Sequence, residues 1–539
     1  MKKTLFIFGV VFSFSLSCAS LSAADRVEEY INGMTLREKV GQLILLGIQG
    51  RGFDAKNNGH IKKINPGGIV FYGRNLKDAD DIPHLISKIQ SFFGKRDLPM
   101  FFAVDQEGGL VHRIEGEMYR PPSAPAMGAA NSEELSREVG QSVGQALKAL
   151  GININLAPVL DVPADIRSSA MAMRSFGSDS RAVARLGTAY IRGLRDAGVL
   201  ATAKHFPGIG RTNEDSHRSI PRIVWKSHDE RDNDITPFRS AIREGVDIIM
   251  TGHVIAEPGD AGNLVSLSTY WMKGVLRKEM GFNGLIIVDN IEMKAINEAM
   301  PIQEAAVTSF LSGADIIMVS HEKRNQEKVF DALVDAVKRG IVSQQRLNES
   351  LRRIIEAKLR IMKSSGGAFK QNLEHVGKSV AETSITYLRA KDIPPLAIGK
   401  EASVLYLGYN SILFNSLRKF FRHAEIVNTT LQNYRETKPD TPIGKLIGKF
   451  DAVIMDAEYT DAGEIISLCN NLNKEYVVIS GLPGRFQETI DRLCPRRIVL
   501  TFENTKIHLN VALEILSGIR QARGRLPYNL TLPENYTYN

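Results

Sequence analysis

Cysteine is almost absent from this sequence. Three residues in 539, Cys18, Cys469 and Cys494, give neither a disulfide framework nor a zinc-ligand spacing. No metal or organic cofactor is expected. Long apolar runs are missing after residue 24, so no span should remain once a leader is removed. Runs of one charge are missing too. Lys and Arg number 68 against 60 Asp and Glu, for a net +8, and no basic stretch is interleaved with aromatics, so nucleic acid is not an expected partner. The 45 Gly and 21 Pro follow no period, which excludes collagen-like chains and repeat arrays. What remains, at 43% hydrophobic and 24% charged, is a globular chain long enough for a large barrel and a second unit.

The N-terminus reads as an address. Met1-Lys2-Lys3 is a basic n-region, Leu5 to Leu16 is apolar apart from Gly and Ser, and Ser22-Ala23-Ala24 offers small residues before Asp25. This is the pattern of a signal peptide over 1–24, implying export to the periplasm or cell envelope. An uncleaved anchor is the alternative, disfavoured by the run's shortness. Cys18 raises a lipoprotein reading, weakened by Ser15 where a lipobox wants Leu.

Eight apolar runs then end in Gly or polar residues: Val40–Ile48, Gly67–Gly73, Pro99–Asp105, Ile152–Val162, Val199–Pro207, Asp247–Val254, Gly284–Asn290 and Ala314–Ser320. Interiors such as Leu285-Ile286-Ile287-Val288 are apolar at every position, the mark of strands buried on both faces in a parallel sheet. Helical patterns lie between them, as at Ser132–Leu150 and Asp179–Ala197. Eight alternations predict an α/β fold with a (β/α)8 TIM barrel over 25–365; an open doubly wound sheet is the alternative. Ser364-Ser365-Gly366-Gly367 ends the pattern. A helix about Leu373–Ala390 is expected within a helical linker, 366–395. Strand runs Ser403–Leu407, Asp451–Met455, Tyr476–Ser480 and Arg497–Leu500 then predict a smaller doubly wound αβα sandwich domain over 396–539. It carries no G-x-G-x-x-G phosphate loop.

Barrel enzymes place their chemistry at the carboxyl ends of the strands. Asp105, Asp161, Lys204 with His205, His253 and Asp289 all fall there. Asp161 and His253 are equally readable as supports behind the site. Lys204 is not read as a Schiff-base lysine.

The stretch Lys204-His205-Phe206-Pro207-Gly208-Ile209-Gly210-Arg211-Thr212-Asn213-Glu214-Asp215-Ser216-His217 resembles the signature of the bacterial β-N-acetylglucosaminidases of glycoside hydrolase family 3, K-H-F-P-G-x-G followed by D-[ST]-H. Other blocks agree in order: Asp105-Gln106-Glu107-Gly108-Gly109, Leu156 to Val162, Arg174-Ser175-Phe176-Gly177, and Gly284 to Met293. The tail Gly524-Arg525-Leu526-Pro527 looks like the family's C-terminal G-[KR]-L-P. The resemblance is strong over about 30–365 and weaker beyond.

It implies a retaining β-N-acetylhexosaminidase, with Asp289 as nucleophile and His217 as acid/base oriented by Asp215. Asp105, Arg113, Arg174, Lys204 and His205 match sugar-binding positions. An imidazole titrates near 6.5 and suits an acid/base role, and an adjacent carboxylate sets its tautomer. Gly208 and Gly210 are read as giving the loop that carries His217 room to move. The implied substrate is a peptidoglycan-derived saccharide with terminal N-acetylglucosamine, which places the chain in peptidoglycan turnover, and a monomer is expected. Residues 163–173 depart from the family's Asn/Pro-rich pattern, Leu110 replaces a common Arg and His112 a common Gln, and Asn290 follows the nucleophile. Two alternatives stand: a β-glucosidase or glycoside phosphorylase of the same family, and an inactive glycan-binding protein of the envelope.

Overall fold

The computed structural model describes residues 23–76, 78–116, 120–166, 171–214, 219–260, 262–364, 373–427, 438–458, 461–530 and 532–538. The expected leader, up to residue 22, lies outside them. A helix Ala23–Gly33 opens the described chain. No helix among the described residues is long and apolar enough to cross a membrane.

All eight predicted barrel strands are present: β1 Ile44–Gly47, β2 Gly68–Phe71, β3 Phe101–Val104, β4 Ile154–Asn155, β5 Leu200–Phe206, β6 Ile248–Thr251, β7 Leu285–Val288 and β8 Ile316–Val319. They pair in parallel, each with its sequence neighbour, and β1 closes on β8 through Ile44 opposite Ile317. Every residue of the eight strands is buried. Apolar side chains on one face fill the barrel and on the other meet the helical ring. Each fully buried Leu, Ile or Val stabilises by roughly 1.5–3 kcal/mol, which is why these strands are mostly apolar, with polar exceptions such as Lys204 and His205 near the carboxyl end of β5.

The ring helices start where the sequence provides caps. Ser132 accepts from Leu135 N at 3.2 Å and opens Glu133–Ala149, while Asp179 accepts from Arg181 N at 2.9 Å and opens Ser180–Asp196. These two helices pack side by side outside β4 and β5.

Among the described residues the second unit has seven strands: β9 Thr386–Ala390, β10 Ser403–Leu407, β11 His423–Val427, β12 Ala452–Asp456, β13 Glu475–Ser480, β14 Arg497–Leu500 and β15 Tyr536–Tyr538. Their order is β11-β10-β12-β13-β14-β9-β15. The first five are parallel, and β9 runs antiparallel to both β14 and β15. The barrel-plus-sandwich class is therefore as expected, but three of the sandwich strands, β9, β11 and β15, are not among those expected, and β9 replaces part of an expected helix. The helix expected to reach Ala390 stops at Ser384, and Thr386–Ala390, inside the segment read as linker, is a sheet strand. Thr386 and Tyr387 favour extended backbone, and the pairing of Leu388 with Ile498 outweighs continuation of the helix.

Candidate active site

A cavity of about 310 Å³ opens at the carboxyl ends of the barrel strands. Asp105, Arg113, Arg174, Lys204, His205 and Asp289 line it together, with His253 beside them. Six of the eight predicted site residues are thus brought to one place. The other two, Asp215 and His217, lie outside the described residues. The chain on either side of them does reach the cavity: Glu214 and Pro221 both line it. Pro221 is fixed there because its carbonyl accepts from Ile255 N at 3.0 Å, beside a two-stranded ribbon of 222–224 and 255–257.

Lys204 and His205 are adjacent on β5, and on a regular strand they would face opposite ways. The register of β5 against β6 shifts between Ala203 and Phe206. Such an irregularity re-aims side chains, and here both reach the cavity. Lys204 is only 2% exposed and pairs with two carboxylates, Asp105 Oδ1 at 2.7 Å and Glu107 Oε1 at 2.6 Å. Burial pulls its ammonium pKa down, yet the two carboxylates prevail and hold it above the ordinary lysine value.

Glu107 was quoted in a motif but not read as a site residue. Its carboxylate also receives Arg174 Nε at 2.8 Å and Nη2 at 2.7 Å. Burial works to raise its pKa, and Arg174 and Lys204 together overcome this and push it well below the carboxylate range. A buried, doubly paired carboxylate flanked by Asp105 was legible only as a loop acid, because its partners lie far away in sequence. Arg174, expected at a sugar-binding position, spends two of its donors on Glu107.

His205 is oriented by Asp161. Nδ1 donates to Asp161 Oδ2 at 2.8 Å, which leaves Nε2 for other partners. Asp161 is fully buried and also accepts from His205 N at 3.2 Å and Ile209 N at 2.8 Å. Of the two readings left open for it, support behind the site is what the structure shows. His253 is buried likewise. Its Nε2 faces the Asn290 carbonyl at 3.1 Å, which can only accept, so Nε2 carries the proton and Nδ1 accepts from Ser266 Oγ at 2.7 Å. Burial, which disfavours the imidazolium, lowers its pKa.

Asp289 follows β7 directly. Burial works to raise its pKa, and His253, His205, the Asn290 N–H and Lys204 outweigh it, so the carboxyl is held below the ordinary aspartate value. The Asn290 N–H donates to Oδ1 at 2.7 Å. An ionised carboxylate presented by rigid backbone at the floor of a cavity is equipped to act as a nucleophile or to stabilise a cation.

The far wall holds residues that the sequence reading passed over. Tyr72 and His321 line the cavity, with the Tyr72 hydroxyl donating to Ser320 Oγ at 2.7 Å. Arg74 stacks 4.6 Å from the Tyr72 ring centre and donates to His321 Nδ1 at 3.1 Å. Glu292, three residues past Asp289, accepts from the backbone N–H groups of Ser320, His321 and Glu322 at 2.9, 2.6 and 2.8 Å. It thereby fixes the turn that carries His321.

The glycines of the signature are packed. A Cβ on Gly210 would lie 2.2 Å from the Val162 carbonyl oxygen, and Gly208 has φ +109° with the Asp234 carbonyl 3.0 Å from its would-be Cβ. They permit close approach and a left-handed turn, in place of the freedom expected of them.

Similarity to known proteins bears on the family. The family model described as the glycosyl hydrolase family 3 N-terminal domain matches residues 35–357. A beta-hexosaminidase of Tolumonas auensis is 32% identical over 293 residues, covering 54% of this chain and 86% of the relative. Beta-hexosaminidase A of Pseudoalteromonas piscicida is 30% identical over 329 residues, 57% of this chain and 55% of that relative, so the match spans about half of its length. A solved structure of a glycoside hydrolase family 3 beta-N-acetylglucosaminidase from Paenibacillus sp. str. FPU-7 is 30% identical, with a TM-score of 0.80 covering 93% of this chain and 100% of that one. With a closed barrel, strand-end carboxylates and a family match over most of that barrel, the chain belongs to glycosyl hydrolase family 3.

Proposed function

We propose that the protein is an exo-acting, retaining β-N-acetylhexosaminidase that removes terminal N-acetylglucosamine from peptidoglycan fragments. The observation that carries this reading is Asp289, ionised at the floor of a cavity whose walls hold Asp105, Arg113, Lys204 and His205. The names of the Tolumonas and Paenibacillus relatives support the sugar assignment.

In the first step the Asp289 carboxylate attacks the anomeric carbon while the glycosidic oxygen takes a proton from the His217 imidazolium. The C–O bond breaks, the aglycone leaves as an alcohol, and a glycosyl ester forms on Asp289. In the second step neutral His217 removes a proton from water, hydroxide displaces the carboxylate, and the sugar departs with its original anomeric configuration. Asp215 orients the imidazole. The sugar hydroxyls meet Asp105, Lys204, His205, Arg113 and Arg174. Arg113 Nε is buried without a partner among the described residues, a donor that a sugar oxygen would satisfy. The leader-like residues 1–24 support export to the periplasm or envelope, where such fragments arise, and the protein acts as a monomer.

Turnover of p-nitrophenyl β-N-acetylglucosaminide, β-glucoside and β-xyloside by the purified protein tests this, with products compared in the presence and absence of phosphate. Preference for either of the last two sugars, or a sugar phosphate as product, overturns the assignment. Labelling by a fluorinated sugar should fall on Asp289.

A further inference from the structure

The last part of the chain leaves the sandwich, crosses the barrel and returns. Gly524 N donates to the Ile385 carbonyl at 2.9 Å beside the start of β9. Arg525 N donates to the Ala129 carbonyl of the barrel at 2.9 Å. Ser178 N donates to the Pro527 carbonyl at 2.9 Å, and Asn529 N donates to Ser178 Oγ at 2.8 Å. The chain then re-enters the sandwich sheet as β15, paired with β9 through Tyr538 opposite Leu388. Residues 524–529 are therefore a strap held at both ends by the sandwich and pressed in its middle against the loop after β4.

That loop carries Arg174. Tyr528 is 4% exposed, and its hydroxyl donates to the carbonyl oxygens of Ala172, at 2.6 Å, and Ser175, at 3.3 Å. These are the two carbonyls that bracket Met173 and Arg174. The fit is close on both sides: a Cβ on Gly177 would lie 2.2 Å from the Pro527 carbonyl oxygen, and one on Gly128 1.8 Å from the Phe176 carbonyl oxygen. From Arg174 the contacts run inward to Glu107, from Glu107 to Lys204, and from Lys204 to Asp105. The Tolumonas relative, matched over 86% of its length but only 54% of this chain, has too little sequence left to supply such a strap from a second domain.

We infer that Tyr528 is a positioning residue for saccharide binding: through its hydroxyl, the strap returning from the sandwich sets the loop that aims Arg174, and this gives the second domain a part in a site whose lining, among the described residues, comes from the barrel alone. The inference rests on the proposed sugar-binding role of Arg174.

The test is Tyr528→Phe in the full-length protein. The ring still fills its place and only the hydroxyl is lost. Backbone hydrogen exchange in a peptide covering 171–178 should quicken several-fold. KM for p-nitrophenyl β-N-acetylglucosaminide should rise about fivefold with kcat within roughly twofold, the size expected for one hydrogen-bonding group. In an Arg174→Ala background the same change should leave KM nearly unaltered, since residues acting through one contact are not additive. Glu503→Gln, which weakens the same domain interface at Ser123, should lower Tm and leave KM alone. Unchanged exchange, an equal KM effect in both backgrounds, or an equal effect from Glu503→Gln overturns the inference. If the wild type hydrolyses none of the three glycosides, the proposed function falls, and the exchange measurement by itself decides whether Tyr528 holds the loop.

Discussion

Arg174 grips Glu107 with two parallel hydrogen bonds, Nε to Oε2 at 2.8 Å and Nη2 to Oε1 at 2.7 Å. This bidentate pair is the strong form of the interaction, and Lys204 adds a second cation to the same carboxylate. Glu107→Ala would leave two buried cations short of a counter-charge. Removing one partner of a buried ion pair costs about 3–5 kcal/mol. We expect a loss of that size in chemical denaturation and a KM raised at least tenfold, because both cations border the sugar site.

Stability should fall in acid for two reasons of the same sign. Glu107 has its folded pKa depressed, so its contribution is complete above the unfolded value near 4.3 and is lost as pH falls through the folded one. His253 also has its folded pKa lowered, so the unfolded chain binds the extra proton, and stability declines as pH drops below about 6.5. Burial pushes the Asp234 carboxyl the other way, up to about 6, so the His253 share is read by comparison: from pH 8 to 5 the urea midpoint of the wild type should fall more than that of His253→Asn, and an equal fall contradicts the assignment.

Asp289→Ala should lower kcat by about four orders of magnitude or more, with circular dichroism unchanged. Because its carboxyl is held below the ordinary aspartate range, the wild type should lose no activity above pH ~4.5 through protonation of this group. An acid limb at higher pH would belong to a different residue, and it should persist in Asp289 variants rescued by azide.

Gly128→Ala places a methyl group 1.8 Å from the Phe176 carbonyl oxygen. Ala is ordinarily favoured over Gly inside a helix, by about 1 kcal/mol. Here overpacking should reverse the sign and destabilise by about 1–3 kcal/mol, seen as a lower Tm.

Glu292→Ala removes the acceptor of three backbone N–H groups ahead of the helix Lys323–Lys338, whose first turn has no other side-chain cap. Loss of a cap costs about 0.5–2 kcal/mol. Urea unfolding should show a loss in that range, together with a KM change if His321 touches substrate.

The barrel was legible because each of its strands is a short apolar run, and nothing competes with that signal. Strand β9 was not, since Thr386 follows a helix after only Ile385, with no Gly or Pro to mark the break. β11 was missed for the opposite reason: its burial is patchy, as in His423 and Glu425, because it lies at the sheet border. In the site, Asp105, Lys204, His205 and Asp289 could be named from strand ends and motif. Glu107 and Tyr72 could not, because their importance comes from partners that only folding brings near, such as Arg174, which lies 67 positions from Glu107, and Ser320, 248 from Tyr72. For Gly208 and Gly210 the sequence shows small residues and is silent on whether the space beside them is empty.

That space is filled, by the Asp234 and Val162 backbones. A descendant of this protein that lost its chemistry would still have to keep both glycines or repack the loop after β4 and the helix His228–Arg243. In this chain the first half of the signature therefore serves the architecture, whatever chemistry the loop beyond it carries. If the proposed mechanism holds, what separates an enzyme from a mere sugar holder on this scaffold is the aspartate after the seventh strand, not these glycines.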